Sequence, residues 1–455
     1  MTFNRKNQLQ SLEKLYNSTD NEAVVFYSAI DSDLNEIMEE FLSNKDFFYY
    51  KSVQVSPEEQ VRLFVDSINS QLTKRTIEEE TYSEALKVML ETKCEKRVIV
   101  IDEFQHIVKY STNLIDEIFK CINNKWGNQP VLFILTSTNL YFNENQLVEK
   151  LGDNAYQLSG IITLSDLSFT DIVNYFDKYS TEDRVIAYAL TGGRARRVKS
   201  LDNTISLKEN IINNILNSNS LLYNRGLNML PPELREHSVY NTILFNLAAG
   251  NNKLNDLHKN TWYSRAKISV YLNNLMEHDL IEKIESYDSD GRDNTIKGVY
   301  AIKDGFLEFF YRFIYPDVTM LEILPKDKFY KSFIAPYLND FSCNTFRKVC
   351  LEYIKILGRL NKLPINISKT GIWLGKVGTI DIVASDDKGN TIIGLCEFKK
   401  DYMTYEDFEW LQFCVKQAKI SGDYYYLFAK KGFDDRIKEF ANIERNVVLI
   451  DLNML

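Results

Sequence analysis

Near the C-terminal end of the chain, an aspartate on one apolar run and a Glu-x-Lys on the next have the types and spacing for metal-dependent phosphodiester chemistry. Gly378-Thr379-Ile380-Asp381-Ile382-Val383-Ala384 alternates as a strand, and Thr391-Ile392-Ile393-Gly394-Leu395-Cys396-Glu397-Phe398-Lys399 reads as its return. Asp387-Lys388-Gly389-Asn390 supplies the turn. A three-residue loop with a bulge at a left-handed residue would set Asp381 opposite Glu397. The two-residue period then puts Glu397 and Lys399 on one face. Two hard carboxylates can bind Mg²⁺ or Mn²⁺ while a lysine helps to lower the pKa of the attacking water. The bland alternative is an exposed charged pair on an ordinary hairpin.

Such a hairpin needs elements to hold it. A helix is predicted before it, with Phe346, Val349, Cys350, Tyr353 and Leu357 inward, and another from about Tyr405 to Lys419. The strand Tyr424-Tyr425-Tyr426-Leu427-Phe428 completes an α-β-β-α-β order. With its Asp and Glu-x-Lys, the segment resembles the restriction-endonuclease-like superfamily. The resemblance implies that Asp381 and Glu397 are metal ligands and that Lys399 orients the water. Many relatives carry an acidic residue right after the phenylalanine of the leading helix, where this chain has Arg347; Glu352 is the candidate substitute. Lys400 and Trp410 have no assigned role.

A second group of residues lies upstream. From Asn21 to about Leu167, β-rich runs such as Val24-Val25-Phe26-Tyr27, Arg97-Val98-Ile99-Val100-Ile101 and Val131-Leu132-Phe133-Ile134-Leu135 alternate with helical stretches, the pattern of a parallel sheet with crossover helices. A phosphate-binding loop would follow the first strand and would need glycines, a lysine and a Ser/Thr. The chain has Tyr27-Ser28-Ala29-Ile30-Asp31-Ser32-Asp33-Leu34-Asn35-Glu36 there, with acidic residues that repel polyphosphate. The companion strand is better preserved, because apolar residues run into Asp102-Glu103-Phe104-Gln105. In an active enzyme Asp102 would support Mg²⁺ and Glu103 would polarise water; otherwise the pair is an acidic strand end. Ordinary ATP binding is not expected.

Residues 168–230 read as an all-helical lid, with Ile172, Tyr175, Phe176, Ile186 and Leu190 at helical spacing. Pro231-Pro232 opens the next unit. From Tyr240 to about Ile302 the order is three helices and two strands, a winged-helix pattern. Ser264 is the predicted N-cap of its third helix, with Ile268, Tyr271, Leu272 and Leu275 inward and Arg265 and Lys267 toward solvent. Asp288 to Asn294 would form the wing. Arg265 and Lys267 are the expected contacts to phosphates or base edges, and Arg292 to the minor groove or backbone.

The order of parts resembles prokaryotic AAA-like ATPases, common in archaea, in which an ATPase module precedes a winged helix and a nuclease-like domain. The likeness rests on Phe3-Asn4-Arg5-Lys6-Asn7-Gln8-Leu9, Ile101-Asp102-Glu103, Thr191-Gly192-Gly193, the winged-helix stretch, Tyr300-Ala301-Ile302-Lys303-Asp304-Gly305-Phe306-Leu307 and the C-terminal carboxylates. The family's opening glycine is Asn4 here, and its phosphate-loop lysine and threonine fall on Leu34 and Asn35. The resemblance therefore implies the fold and not the ATPase activity. In related ATPases an arginine near the glycine pair senses the terminal phosphate, which points to Arg196 within Arg194, Arg196, Arg197 and Lys199. A solvated basic helix start, or a phosphate-backbone contact, is the alternative for that cluster.

Bulk properties narrow the class. The 455 residues suggest about three units, and no apolar run spans a bilayer. The six cysteines form no Cys-x-x-Cys pair and the four histidines are dispersed, which gives no support to a zinc finger or a His-based triad. A net charge of −9 confines nucleic-acid contact to a local patch. The start lacks a secretory signal, so the cytoplasm is expected. The expected architecture is an α/β multi-domain chain: an AAA-like P-loop NTPase fold (1–167), a helical lid (168–230), a winged helix (231–303) and a restriction-endonuclease-like domain (304–455). The expected protein interacts with DNA and carries a Mg²⁺- or Mn²⁺-dependent nuclease-like site. Two alternatives stand beside it: a catalytically silent DNA- or protein-binding regulatory factor, docking through the winged helix or ATPase module, and an ATPase that binds ATP through a non-standard loop.

Overall fold

Strands apolar at every position must be covered on both faces, and the N-terminal part of the chain is built that way. The computed structural model describes residues 3–72, 77, 80–91, 96–124, 130–231, 234–289 and 298–455. It divides into two units. Met1–Asp166 with Arg194–Arg196 and Glu277–Asp279 form the first; Leu167–Gly193, Arg197–Met276 and Leu280–Leu455 form the second.

The main elements of the first unit are α1 (Lys6–Tyr16), β1 (Glu22–Ser28), α2 (Leu34–Leu42), β2 (Asp46–Lys51), α3 (Pro57–Leu72), α4 (Tyr82–Glu91), β3 (Arg97–Asp102), α5 (Asn113–Asn124), β4 (Val131–Ser137) and β5 (Gly160–Leu164). The five strands are parallel in the order β2-β3-β4-β1-β5. Alternate residues of the central strands serve opposite cores. Val25, Ile99, Ile101 and Phe133 pack with Phe64, Met89 and Ile118. Val24, Phe26, Val100 and Ile134 pack with Leu12, Ile37 and Phe41. The chain leaves β1 toward β2 on one side and β4 toward β5 on the other, so the crevice where such sheets bind ligands lies beyond the ends of β1 and β4.

The second unit begins with α6 (Phe169–Tyr175) and α7 (Thr181–Thr191), each N-capped by a serine, Ser168 and Ser180. Then come α8 (His237–Ala248), α9 (Leu254–Thr261), α10 (Arg265–Glu277) and the antiparallel pair β6 (Ile281–Glu285) and β7 (Gly298–Ile302), as the winged-helix pattern predicts. Ser264 Oγ accepts from Lys267 N–H at 3.2 Å, the predicted cap. Tyr271 departs from expectation: it is only part-buried and its hydroxyl donates to Glu236 at 2.7 Å. The wing tip, including Arg292, lies outside the described residues.

The C-terminal part contains α11 (Leu338–Arg359), β8 (Lys369–Leu374), β9 (Thr379–Ser385), β10 (Thr391–Glu397), α12 (Tyr405–Ala418), β11 (Tyr424–Ala429) and β12 (Val447–Asp451). These strands form one mixed sheet in the order β12-β11-β10-β9-β8, antiparallel from β8 to β10 and parallel from β10 to β12. Phe408, Leu411 and Cys414 of α12 pack with Ile380, Val383 and Ile393 of the sheet. Among the described residues, no helix is long and apolar enough to cross a membrane.

Two residues of the helical stretch 305–317 generate predictions. Gly192 ends α7 at φ +63, and a Cβ on Gly305 would come 2.0 Å from the Ala189 carbonyl oxygen. Gly305→Ala is therefore expected to destabilise this unit by about 1–3 kcal/mol, read from denaturant unfolding, because the backbone rather than a side chain must move. Glu308 is part-buried, and burial pushes its carboxyl up to about 7 against the pull of Arg312 and Lys348. Relative to an ordinary value of 4.5, the neutral acid stabilises the fold below that pH, and the contribution is lost as pH rises through 7. Glu308→Gln should melt like the parent near pH 4 and gain on it by roughly 1–3 kcal/mol near pH 8. An advantage that does not vary with pH would contradict this.

Candidate functional site

The turn between β9 and β10 closes through Asp386, whose N–H donates to the Asn390 carbonyl at 3.1 Å, with Gly389 at φ +87. A three-residue loop is therefore present, but its register differs from expectation. Ser385 pairs with Thr391 and Ile382 with Gly394, so at the same offset the position opposite Asp381 is Leu395, not Glu397. An offset of two residues preserves the face.

What aims Asp381 is a bulge on the other side of its strand. Gly371 pairs with Val383 and Trp373 with Ile380, so Asp381 and Ile382 together oppose the single Ile372. This explains why Ile380 and Val383, three apart, share one core. A bulge turns a side chain out of the simple alternation. Asp381 Oδ2 accepts from Cys396 N–H at 2.9 Å, and Arg347 Nη1 stands 4.0 Å from Oδ1. Burial pushes the Asp381 carboxyl up, the Cys396 N–H and Arg347 pull it down, and Glu397 raises it again.

β10 ends at Glu397, so no strand period carries on to Lys399. Instead Glu397 Oε1 accepts from Lys399 N–H and Lys400 N–H, both at 2.8 Å, and the chain turns there. Between them Phe398 is fully buried, its ring 4.9 Å from that of Phe346, which fastens the turn to α11. Lys399 Nζ then reaches Asp340 Oδ1 at 2.8 Å, and the Asp340 partner raises its pKa. Arg312 also closes on Asp340 Oδ2. These two partners, Lys399 first, hold the Asp340 carboxyl below the usual range.

Asp340 is an acidic residue of α11 beside Lys399 that sequence reasoning missed. It precedes Arg347 by two helical turns, a spacing that shares a face. Glu352, the substitute expected instead, is used elsewhere: it accepts from Phe169 N–H and the Tyr188 hydroxyl, each at 3.0 Å. Lys400 pairs with Asp407 at 2.8 Å, and Trp410 lies half-exposed against Phe413. Cys343, Cys350 and Cys396 surround the site, but burial pushes all three thiols up, Cys343 to about 11, so none offers a ready thiolate.

The donor set is compatible with a hard cation. Asp381 Oδ1 has only the loosely placed Arg347, and Glu397 Oε2 makes no hydrogen bond among the described residues. No cluster of three or more metal-binding side chains occurs among the described residues. Mg²⁺ often takes one or two carboxylates and keeps its waters, so two oxygens suffice.

In the first unit, internal ion pairs lie near the strand ends, and Arg5 and Asp33 also line a cavity of about 440 Å³. Asp33 is buried and receives both Nε and Nη2 of Arg5 at 3.0 and 2.9 Å. Leu34, at the expected lysine position, belongs to the core. Asp102 Oδ2 accepts from the Tyr49 hydroxyl at 2.7 Å and Lys51 Nζ at 3.0 Å, while Oδ1 accepts from Thr136 at 2.6 Å. Burial, and then Asp102 itself, push the Tyr49 phenol up. Glu103, at φ +54, is bonded to Thr138 and Gln105. The backbone N–H of Arg196 donates to the Asp31 carbonyl at 2.9 Å, and its side chain is exposed. Its neighbours are not a solvated basic patch. Arg194 is buried on Asp166 at 3.0 Å, and in the second unit Arg197 is buried on Asp304 at 2.7 Å.

On the winged helix, Arg265 is exposed, with Nε on Asn255 at 2.9 Å. Lys267 is part-buried, pairs with Glu236 at 3.3 Å and lies over the Tyr263 and Tyr271 rings.

Residues 2–201 match a family described as an ATPase domain predominantly from Archaea. Residues 310–409, which include Arg312, Asp340, Asp381, Glu397 and Lys399, match a family described as archaeal and bacterial proteins of unknown function. An uncharacterized protein of Methanocaldococcus jannaschii is 21% identical over 448 residues, covering 98% of this chain and 96% of that protein. The Walker-type ATPase of Pyrococcus abyssi is 15% identical with a TM-score of 0.44, covering 68% of this chain and 96% of that one. The ORC2 protein of Aeropyrum pernix, in its ADPNP–ADP complexes, is 10% identical with a TM-score of 0.44, covering 75% and 94%. The ORC1 protein of Aeropyrum pernix in complex with DNA is 12% identical with a TM-score of 0.36, covering 70% and 95%. The chain is thus similar to an archaeal-type ATPase domain over residues 2–201 and to that archaeal and bacterial family over residues 310–409.

Proposed function

We propose that this chain is a DNA-interacting, metal-dependent phosphodiesterase whose ATPase-type module serves as a nucleotide-free scaffold. The observation that carries this reading is that Asp381, Glu397 and the Asp340–Lys399 pair all lie within electrostatic reach of Cys343, where α11 meets the β9–β10 hairpin. The helix-strand order around them, with a bulge turning Asp381 out of alternation, supports a restriction-endonuclease-like domain. Asp381 and Glu397 would hold Mg²⁺ or Mn²⁺, which when bound polarises the phosphoryl group and activates water.

The chain's own residues do the rest. Lys399, its pKa raised by Asp340, stays protonated at neutral pH, so it acts as a hydrogen-bond donor that orients water and stabilises negative charge, not as a base. Asp340 positions that ammonium. The exposed Arg265 is a candidate phosphate contact at the start of α10, where Lys267 is already engaged by Glu236. The scaffold reading is supported by Lys51, Tyr49 and Thr136, which occupy both side-chain oxygens of Asp102, the acidic residue that a metal would need.

A second reading is favoured by Arg347, Arg312 and Lys399, which already balance the carboxylates. A site neutralised by its own cations could bind DNA without turnover. An assay separates the two: the purified protein is incubated with single- and double-stranded DNA and Mg²⁺ or Mn²⁺. Cleavage is expected, and Asp381→Ala or Lys399→Ala should slow it by roughly 100-fold or more. Cleavage indifferent to both substitutions would sink the assignment, and none by the parent with either metal would favour the second reading. For the N-terminal module, titration with millimolar ATP in a calorimeter should give no heat, and micromolar affinity would refute the scaffold reading.

A further inference from the structure

Beside the candidate site lies a cleft of about 510 Å³. Asn252 and Tyr300 of the winged helix line one wall, Arg312 another, and Asp340 and Arg347 of α11 the floor, with Thr379 two residues before Asp381. The cleft and the site therefore share Asp340 and Arg347.

The wall that carries Tyr300 is bonded within itself, and the chain after β6 is bonded to the sheet. Tyr300 N–H donates to the Asn252 carbonyl at 2.7 Å. The chain leaving β6 joins the outer edge of β8: Tyr287 N–H donates to the Ile372 carbonyl at 2.6 Å, Leu374 N–H to Ser286 Oγ at 2.9 Å, and the Tyr287 hydroxyl to Ser385 Oγ at 2.7 Å. Ile372 is the residue opposite the bulge. The residue opposite the irregularity that aims Asp381 is thus also bonded to the chain after β6.

Size and chemistry select the occupant. A volume of 510 Å³ lies within the range of small-ligand sites, roughly 300–1,000 Å³, and corresponds to a sphere about 10 Å across. A duplex, whose major groove alone is about 12 Å wide, is too thick to enter. Two guanidinium groups offer forked donors to phosphate oxygens. Tyr300 offers a ring on which a base can stack, and Asn252 an amide for its edge.

We propose that this cleft takes a phosphorylated nucleoside from an unpaired strand, one or two units at a time, with its phosphate on Arg312 and Arg347 facing Asp381. This rests on the phosphodiesterase reading and adds strandedness to it: the site acts on single strands or frayed ends. The same chemistry is presented by a free mononucleotide.

The test measures binding of the full chain to a fluorescent oligothymidylate of about eight nucleotides in EDTA, where no cleavage occurs. A hairpin duplex of similar length is the second probe and dTMP the competitor. Arg312→Gln and Tyr300→Ala should each weaken single-strand binding about tenfold or more, while duplex binding, wherever it occurs, stays unchanged. Two variants at separate walls guard against one that misfolds, checked by its melting. Displacement by dTMP supports a site satisfied by the free nucleotide; lack of displacement supports one that needs the strand. Single-strand affinity unchanged in both variants, or lost equally for the duplex, overturns the proposal. Loss of binding specificity with Asp381-dependent cleavage intact would remove only the cleft. Retained single-strand binding with no Asp381-dependent cleavage would remove only the phosphodiesterase.

Discussion

A carboxylate drawn out of water must be met by donors or by a cation, because an uncompensated charge in a poorly solvated place costs several kcal/mol. Both candidate sites are arranged around that requirement. In the first unit Asp33 and Asp102 are almost wholly buried, and Arg5, Lys51, Tyr49 and Thr136 compensate them. In the second, Asp340 takes Arg312 and Lys399, while Asp381 has a backbone N–H and a distant Arg347.

The difference between the two solutions bears on function. At Asp102, each side-chain oxygen has a short partner, and the partners are held by packed strands. At Asp381 the compensation is loose: burial and Glu397 still push the carboxyl up, and the nearest guanidinium is 4.0 Å away. An incompletely compensated acid beside a second acid is where a divalent ion gains most. The internal pairs of the N-terminal module compensate its buried carboxylates within the fold itself.

Several residues that look functional in sequence serve the architecture. The glycines of Thr191-Gly192-Gly193 and Asp304-Gly305 matter because Gly192 reverses the chain and Gly305 packs against the Ala189 carbonyl. Arg197 is spent on Asp304, which also caps the following helix through Leu307 N–H. The bulge at Asp381 and Ile382 turns a carboxylate, and Ile372 opposite it also accepts from Tyr287 N–H on the outer edge of β8.

The sequence by itself determined what depends on neighbours a few residues apart: the buried parallel strands, the three helices and two strands of the winged pattern, the Ser264 cap and the hairpin around Gly389. Those are matters of periodicity and local hydrogen bonding, which a short window contains. It did not reveal the register at Asp381, which depends on a bulge against β8, nor the end of β10 at Glu397, where a side chain competes for backbone N–H groups. It pointed to Glu352 rather than Asp340, and to a solvated basic cluster where Arg194 and Arg197 are buried pairs. Asp340 meets Lys399 across 59 residues and Arg197 meets Asp304 across 107. Only the tertiary structure decided those partners, because a charge is assigned by which groups packing brings within a few ångströms, and no local pattern encodes that distance.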